Sequence, residues 1–129
     1  MNMRKDAEQI MQASLQAVLP DAAVRRALEG FRQPEGRLVL VALGKAAWQM
    51  AHAASEALGA AISEGIVITK YGHDMGPIPH TTVWQAGHPI PDQNSFDATA
   101  RAIALVEPLR QQDTVLLLIS GGGSALFEK

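Results

Sequence analysis

Four short segments of this sequence carry residue types that could do chemistry. The densest is Ser120-Gly121-Gly122-Gly123-Ser124, directly after the apolar run Thr114–Ile119. Three glycines remove side-chain obstruction and permit positive φ, so successive N–H groups can turn toward one anion. The serine hydroxyls add donors, and a helix starting near Ser124 would add the positive end of its dipole. The segment predicts a phosphate cradle, with a plain flexible turn as the alternative. Gly44-Lys45 follows the run Arg37–Leu43 and puts a cation at a strand-to-helix turn. A helix N-terminus disfavours a cation unless an anion lies beside it, so Lys45 predicts phosphate or carboxylate binding rather than a merely solvated side chain. Lys70-Tyr71-Gly72-His73-Asp74 sets a histidine beside a carboxylate, which suits acid–base work, a metal pair or an ordinary loop equally. Gly87-His88-Pro89-Ile90-Pro91-Asp92 is polar and stiffened by two prolines. His88 and Asp92 could touch a ligand there, and Asp92 could equally cap the helix that follows.

Several familiar chemistries are excluded by spacing. The lysine after Gly44 is followed by alanine, and no lysine adjoins the triple glycine, so neither is a Walker A loop. No GxGxxG follows any strand, which removes the usual support for a nicotinamide-dependent reductase. The four histidines form no HxH or HExxH pattern, so no zinc site is expected, and no acidic cluster suggests another metal.

These segments need elements to position them. Ala7, Ile10, Met11, Ser14, Leu15 and Val18 form one stripe of a helix over about Arg4–Leu19, ended by Pro20. Asp21 is placed to cap a second helix with the stripe Val24, Ala27, Leu28 and Phe31. Arg37–Leu43 reads as a strand buried on both faces. An alanine-rich helix over about Ala46–Leu58 and a short strand Gly65–Thr69 complete a βαβ unit, expected to be parallel and right-handed. Thr81–Ala86 is a third strand. A helix over about Asn94–Leu109 should turn Phe96, Ala100, Ile103 and Val106 inward, and Thr114–Ile119 is a last buried strand. The fold class is therefore α/β, three layers around a mostly parallel sheet, preceded by N-terminal helices. Ligands of such sheets sit beyond the carboxyl ends of the strands, where all four segments fall.

Composition fits that class. With 129 residues, 47% hydrophobic and 19% charged, the chain is an ordinary globular sequence of single-domain size. The 21 alanines and 5% aromatics favour helices packed close on a sheet over an all-β core. A net charge of −2 argues against a nucleic-acid partner. No apolar run approaches the roughly 20 residues that span a bilayer, so no membrane association is expected, and the N-terminus does not read as a signal peptide. The absence of cysteine removes disulfides and thiolate chemistry and predicts a reducing, cytoplasmic setting.

Taken together, Val41–Ala47, Thr69–His73, Ala86–Asp92 and Leu118–Leu126 resemble the glycerate 2-kinase family, some of whose members are labelled hydroxypyruvate reductase. The likeness runs through nearly the whole chain in order. It implies a Rossmann-like domain joined to a smaller C-terminal domain, with the active site in the cleft between them. The implied activity is Mg²⁺-assisted transfer of phosphate from ATP to D-glycerate, giving 2-phosphoglycerate. Lys45 matches the family's active-site lysine. Ser120, Gly121, Gly122, Gly123 and Ser124 match its nucleotide-binding glycine loop. Gly44, His88 and Asp92 fall in its substrate-binding segments. Family members are much longer, so the chain is expected to be the N-terminal part of the first domain, incomplete and inactive alone. An open sheet edge, and with it self-association into a homo-oligomer, is also expected. Two alternatives stand beside this one: a non-catalytic phosphate- or sugar-phosphate-binding module, and a hydroxypyruvate reductase.

Overall fold

The computed structural model describes residues 2–129 and consists of a four-stranded sheet between two helical layers. The strands are β1 (Leu38–Leu43), β2 (Glu64–Lys70), β3 (Thr81–Ala86) and β4 (Thr114–Ile119), in the order β3-β2-β1-β4. All three pairings are parallel, so the expected mostly parallel sheet is wholly so. The helices are α1 (Met3–Ala17), α2 (Pro20–Ala27), α3 (Ala47–Leu58), α4 (Gln93–Val106) and α5 (Gly123–Leu126), with a 3-10 turn at Gly59–Ala61.

β1 is central and buried along its whole length, as its unbroken apolar run requires. Its alternate residues feed two cores. Leu38, Leu40 and Ala42 pack with Ala47, Ala51 and Ala54 of α3. Val39, Val41 and Leu43 pack with Ala98 and Ala102 of α4 on the opposite face. Alanines at both contacts let the helix backbones approach the sheet closely. α3 connects neighbouring strands β1 and β2, whereas α4 carries the chain from β3 at one edge to β4 at the other. The chain thus winds outward from β1 through β2 to β3 and then returns to the other side of β1, and the gap between β1 and β4 is the switch point where such sheets hold ligands.

Four local expectations are corrected. Pro20 does not merely end α1; it begins α2 at the first helical position, where its fixed φ and missing N–H cost nothing. Asp21 consequently lies inside the first turn, makes no cap, and reaches Arg25 at 3.6 Å. In α4 the buried face is Ser95, Ala98, Thr99 and Ala102, while Phe96 is 41% exposed. Small residues occupy the contact with the sheet; Phe96, Ala100 and Ile103 are turned to the rim, and of the expected inward residues Val106 packs against the core. β4 is not buried on both faces: Leu116 and Leu118 join the α3 core, but Val115, Leu117 and Ile119 are 41%, 51% and 62% exposed. The open edge expected from sequence is thus present. The α1 stripe also stays exposed, and no residue of that helix is buried.

Candidate functional site

The site is assembled at the carboxyl ends of β1, β2 and β4. Leu43 ends β1 in register with Ile68 of β2 and Ile119 of β4. The chain then turns sharply at Gly44, whose φ is +116° and where a Cβ would stand 2.6 Å from the Ser120 carbonyl oxygen. Only glycine tolerates both the left-handed backbone and that approach. The two loops are then stitched together. Ser120 N–H donates to the Leu43 carbonyl at 2.9 Å and Lys45 N–H to the Gly121 carbonyl at 2.9 Å. The Ser120 hydroxyl accepts from Ala46 N–H at 3.0 Å, at the start of α3. Ser120 is therefore a brace between the loops, an N-terminal cap supplied from another strand.

Beyond that brace the glycine loop opens. Gly122 has φ +84°, and a Cβ there would fall 2.8 Å from Nε2 of His88 and 3.2 Å from Cε of Lys45. The structure thus brings Lys45, His88 and the glycine loop onto one point, although their sequence positions span more than half the chain. Gly121 faces open space. Among the described residues no hydrogen bond engages the N–H of Gly121 or Gly122, which leaves two donors for an anion. The helix anticipated at Ser124 begins at Gly123 and makes a single turn, so dipole assistance is slight and backbone N–H groups carry the attraction.

His88 reaches this point because the β3–α4 connection crosses over the sheet. Loss of hydration, then the nearby positive charges of Lys45 and Lys70, hold its imidazole below the usual histidine range. These causes favour the neutral imidazole, which has both a lone pair and an N–H available. Asp92 is placed differently. It is the N-cap of α4 and forms a reciprocal capping box with Ser95. Its carboxylate also accepts from Gly87 N–H at 3.0 Å and from the Tyr71 hydroxyl at 2.6 Å. The Tyr71 bond is the largest cause of its depressed pKa, with the Gly87 and Ser95 bonds adding and dehydration opposing. The same bond raises Tyr71, assisted by dehydration and the Asp92 charge. Asp92 fixes the backbone beside His88 and has its acceptors engaged in doing so.

The second loop, which the residues left open between structural and functional roles, is structural in part. His73 Nδ1 lies 2.8 Å from the Lys45 carbonyl, and Trp48 Nε1–H donates to the Gly76 carbonyl at 2.8 Å. Both bonds lash the loop over the start of α3. Lys70 was not singled out from sequence. Its signal was available: it stands two residues past Ile68, as Lys45 stands two past the paired Leu43.

No group of three or more His, Asp or Glu among the described residues could hold a metal ion. These residues do not by themselves furnish a Mg²⁺ site. The phosphate groups of a nucleotide fit better, since the loop has free N–H groups, an open floor at Gly121 and a lysine beside it.

Fold and site together define a doubly wound α/β protein whose two strand-end loops meet at the switch point of the sheet. Residues 6–129 match the family described as a domain of unknown function, DUF4147, and the chain belongs to that family. It is 50% identical over 127 residues to D-glycerate 2-kinase of Thermotoga maritima, covering 98% of this chain and 30% of that protein. It is 43% identical over 94 residues to glycerate 2-kinase of Pyrococcus horikoshii, covering 73% of this chain and 21% of that one. The crystal structure of the Thermotoga maritima glycerate kinase superposes with a TM-score of 0.92 at 50% identity, over 97% of this chain and 30% of that chain. The chain therefore spans about a third or less of the length of these relatives. The likeness to glycerate 2-kinases seen in the four segments is borne out, as is the α/β fold. No helix among the described residues is long and apolar enough to cross a membrane.

Proposed function

We propose that the whole protein is a glycerate 2-kinase, passing phosphate from ATP to D-glycerate to give 2-phosphoglycerate. The residues described here supply the Lys45 and glycine-loop part of its site. One observation carries this reading: Lys45 and His88 converge on Gly122 at the switch point of the sheet. Phosphoryl transfer asks a protein mainly for positioning and charge neutralisation, which this arrangement offers. Lys45 steadies the transferring phosphoryl group or the glycerate carboxylate. The N–H groups of Gly121, Gly122 and Gly123 take phosphate oxygens, with Ser124 as an added donor and Ser120 holding the loop in place. Gly44 allows the turn that aims Lys45, His88 meets the substrate, and Asp92 positions His88 from behind. Mg²⁺, the expected cofactor, draws no ligand set from these residues.

The 129 residues alone are expected to bind nucleotide or phosphate weakly and to turn over little. A non-catalytic phosphate-binding module accounts for the glycine loop but leaves the convergence of Lys45 and His88 without a purpose. A hydroxypyruvate reductase reading lacks a dinucleotide fingerprint. Two assays on the whole protein separate these: ADP release with D-glycerate, and NADH oxidation with hydroxypyruvate. The kinase reading expects D-glycerate-dependent ADP release only. NADH oxidation alone would replace it with the reductase, and silence in both with the binding module.

A further inference from the structure

Lys70 is the last residue of β2 and is half-buried. Ile66 and Ile68 turn to the α4 face of the sheet, and side chains alternate along a strand, so Lys70 continues that face. Lys45 follows the sharp turn at Gly44 that ends the neighbouring strand, and its Cε stands with His88 beside Gly122. Both lysines lie near enough to His88 to act on its charge. None of the ion pairs among the described residues engages either lysine. In the adjoining loops Tyr71 and Asp92 are bonded to one another, Asp74 accepts from Gly76 N–H, and His73 Nδ1 lies against the Lys45 carbonyl. Two cations thus lie beside the His88 imidazole at the mouth of the sheet, with no carboxylate in ion-pair contact with either. Such crowding is unfavourable until an anion enters.

We propose that Lys70 is the second cation of the site, and that Lys45 and Lys70 together bracket one oxyanionic group of the ligand, a carboxylate or a phosphoryl, beside the His88 ring. This rests on the kinase reading for its substrates and extends it to a residue that the sequence segments contain but give no role. Lys70 is then a binding residue for the same oxyanion as Lys45, on the side away from the glycine loop.

The test follows the His88 ring by NMR in the 129-residue chain, titrated with inorganic phosphate and, separately, with D-glycerate. An anion between the lysines reverses their field, so His88 should gain its proton at higher pH when the anion is bound. Lys70→Met should weaken that anion about tenfold and shrink the anion-induced shift, and Lys70→Arg should restore both. A response to phosphate alone identifies the bracketed group as phosphoryl, and a response to D-glycerate alone as carboxylate. If Lys45→Met abolishes binding but Lys70→Met changes neither affinity nor the His88 titration, the proposal fails while the kinase reading stands. No anion response of His88 in the unmutated chain overturns it as well. If neither lysine matters and D-glycerate releases no ADP from the whole protein, both fall together.

Discussion

The two edges of the sheet are built differently. β3 carries Thr81, Thr82 and Gln85, and none of its residues is a large apolar group left open to solvent. β4 is Thr-Val-Leu-Leu-Leu-Ile, with no charge, proline or glycine to discourage pairing. Its exposed side chains border an apolar groove with Leu43, Val106 and Phe127 on the α4 side. β1 and β4 have similarly apolar sequences, yet one is buried throughout and the other is half-buried on alternate residues and exposed on the rest. Apolar composition demands a cover; the neighbours decide whether the strand gets one. The contrast matters for function because the crevice lies between these two strands. Its β1 side is locked by hydrogen bonds, and its β4 side adjoins the open edge.

The largest effect is expected on the locked side. Lys45→Met in the whole protein should lower kcat with D-glycerate by about a hundredfold or more, read by ADP release, as for loss of one preorganised electrostatic contact. A full kcat would remove Lys45 from the chemistry. Next comes a pair of truncations on the two strands. Leu40→Ala, in the centre of the sheet, should cost about 2–5 kcal/mol in urea unfolding. Leu117→Ala, half exposed on β4, should cost less than about 1 kcal/mol and reduce self-association in sedimentation. Equal costs would mean that β4 is covered in solution by a second copy, and would erase the contrast drawn above.

Gly122→Ala should cost about 1–3 kcal/mol through its left-handed backbone and displace His88, visible as a change in the ring's NMR signals. The smallest effect is on pH dependence. His88 binds its proton less readily in the fold than in the open chain, so the unfolded state holds more protons below the usual histidine range. Stability should therefore fall as pH drops through that range. Asp92 and Asp113 act in the same direction at lower pH, since hydrogen bonds depress both. Tyr71 acts at the other extreme: its raised pKa is a contribution lost as pH climbs past the ordinary tyrosine value. Urea midpoints for the native chain and His88→Asn, measured across this range, should differ in slope only on the mildly acidic side.

Much of this was legible in the chain. The run at Leu38–Leu43 announces a buried strand because no polar residue interrupts it, and the observed bounds of β3 and β4 match those read from the residues. Asp92 could be read as a cap or a ligand, and its bonds to Gly87, Ser95 and Tyr71 show the first role occupied. On α4 the apolar periodicity finds Val106 against the core but not the buried Ser95 and Thr99, because the close helix–sheet contact selects small side chains, polar ones included, and leaves the bulky Phe96 outside.

By itself, the sequence determined the elements, their alternation and the positions where glycine lets the backbone turn, because periodicity and φ preference act over a few residues. Tertiary structure decided the rest. It chose which strand lies centrally, since burial depends on neighbours distant in the chain. It drew His88 across the sheet to Gly122 and brought Lys45 and Lys70 near its ring, since a crossover and a strand register bring together charges whose attraction and repulsion depend on separation in space.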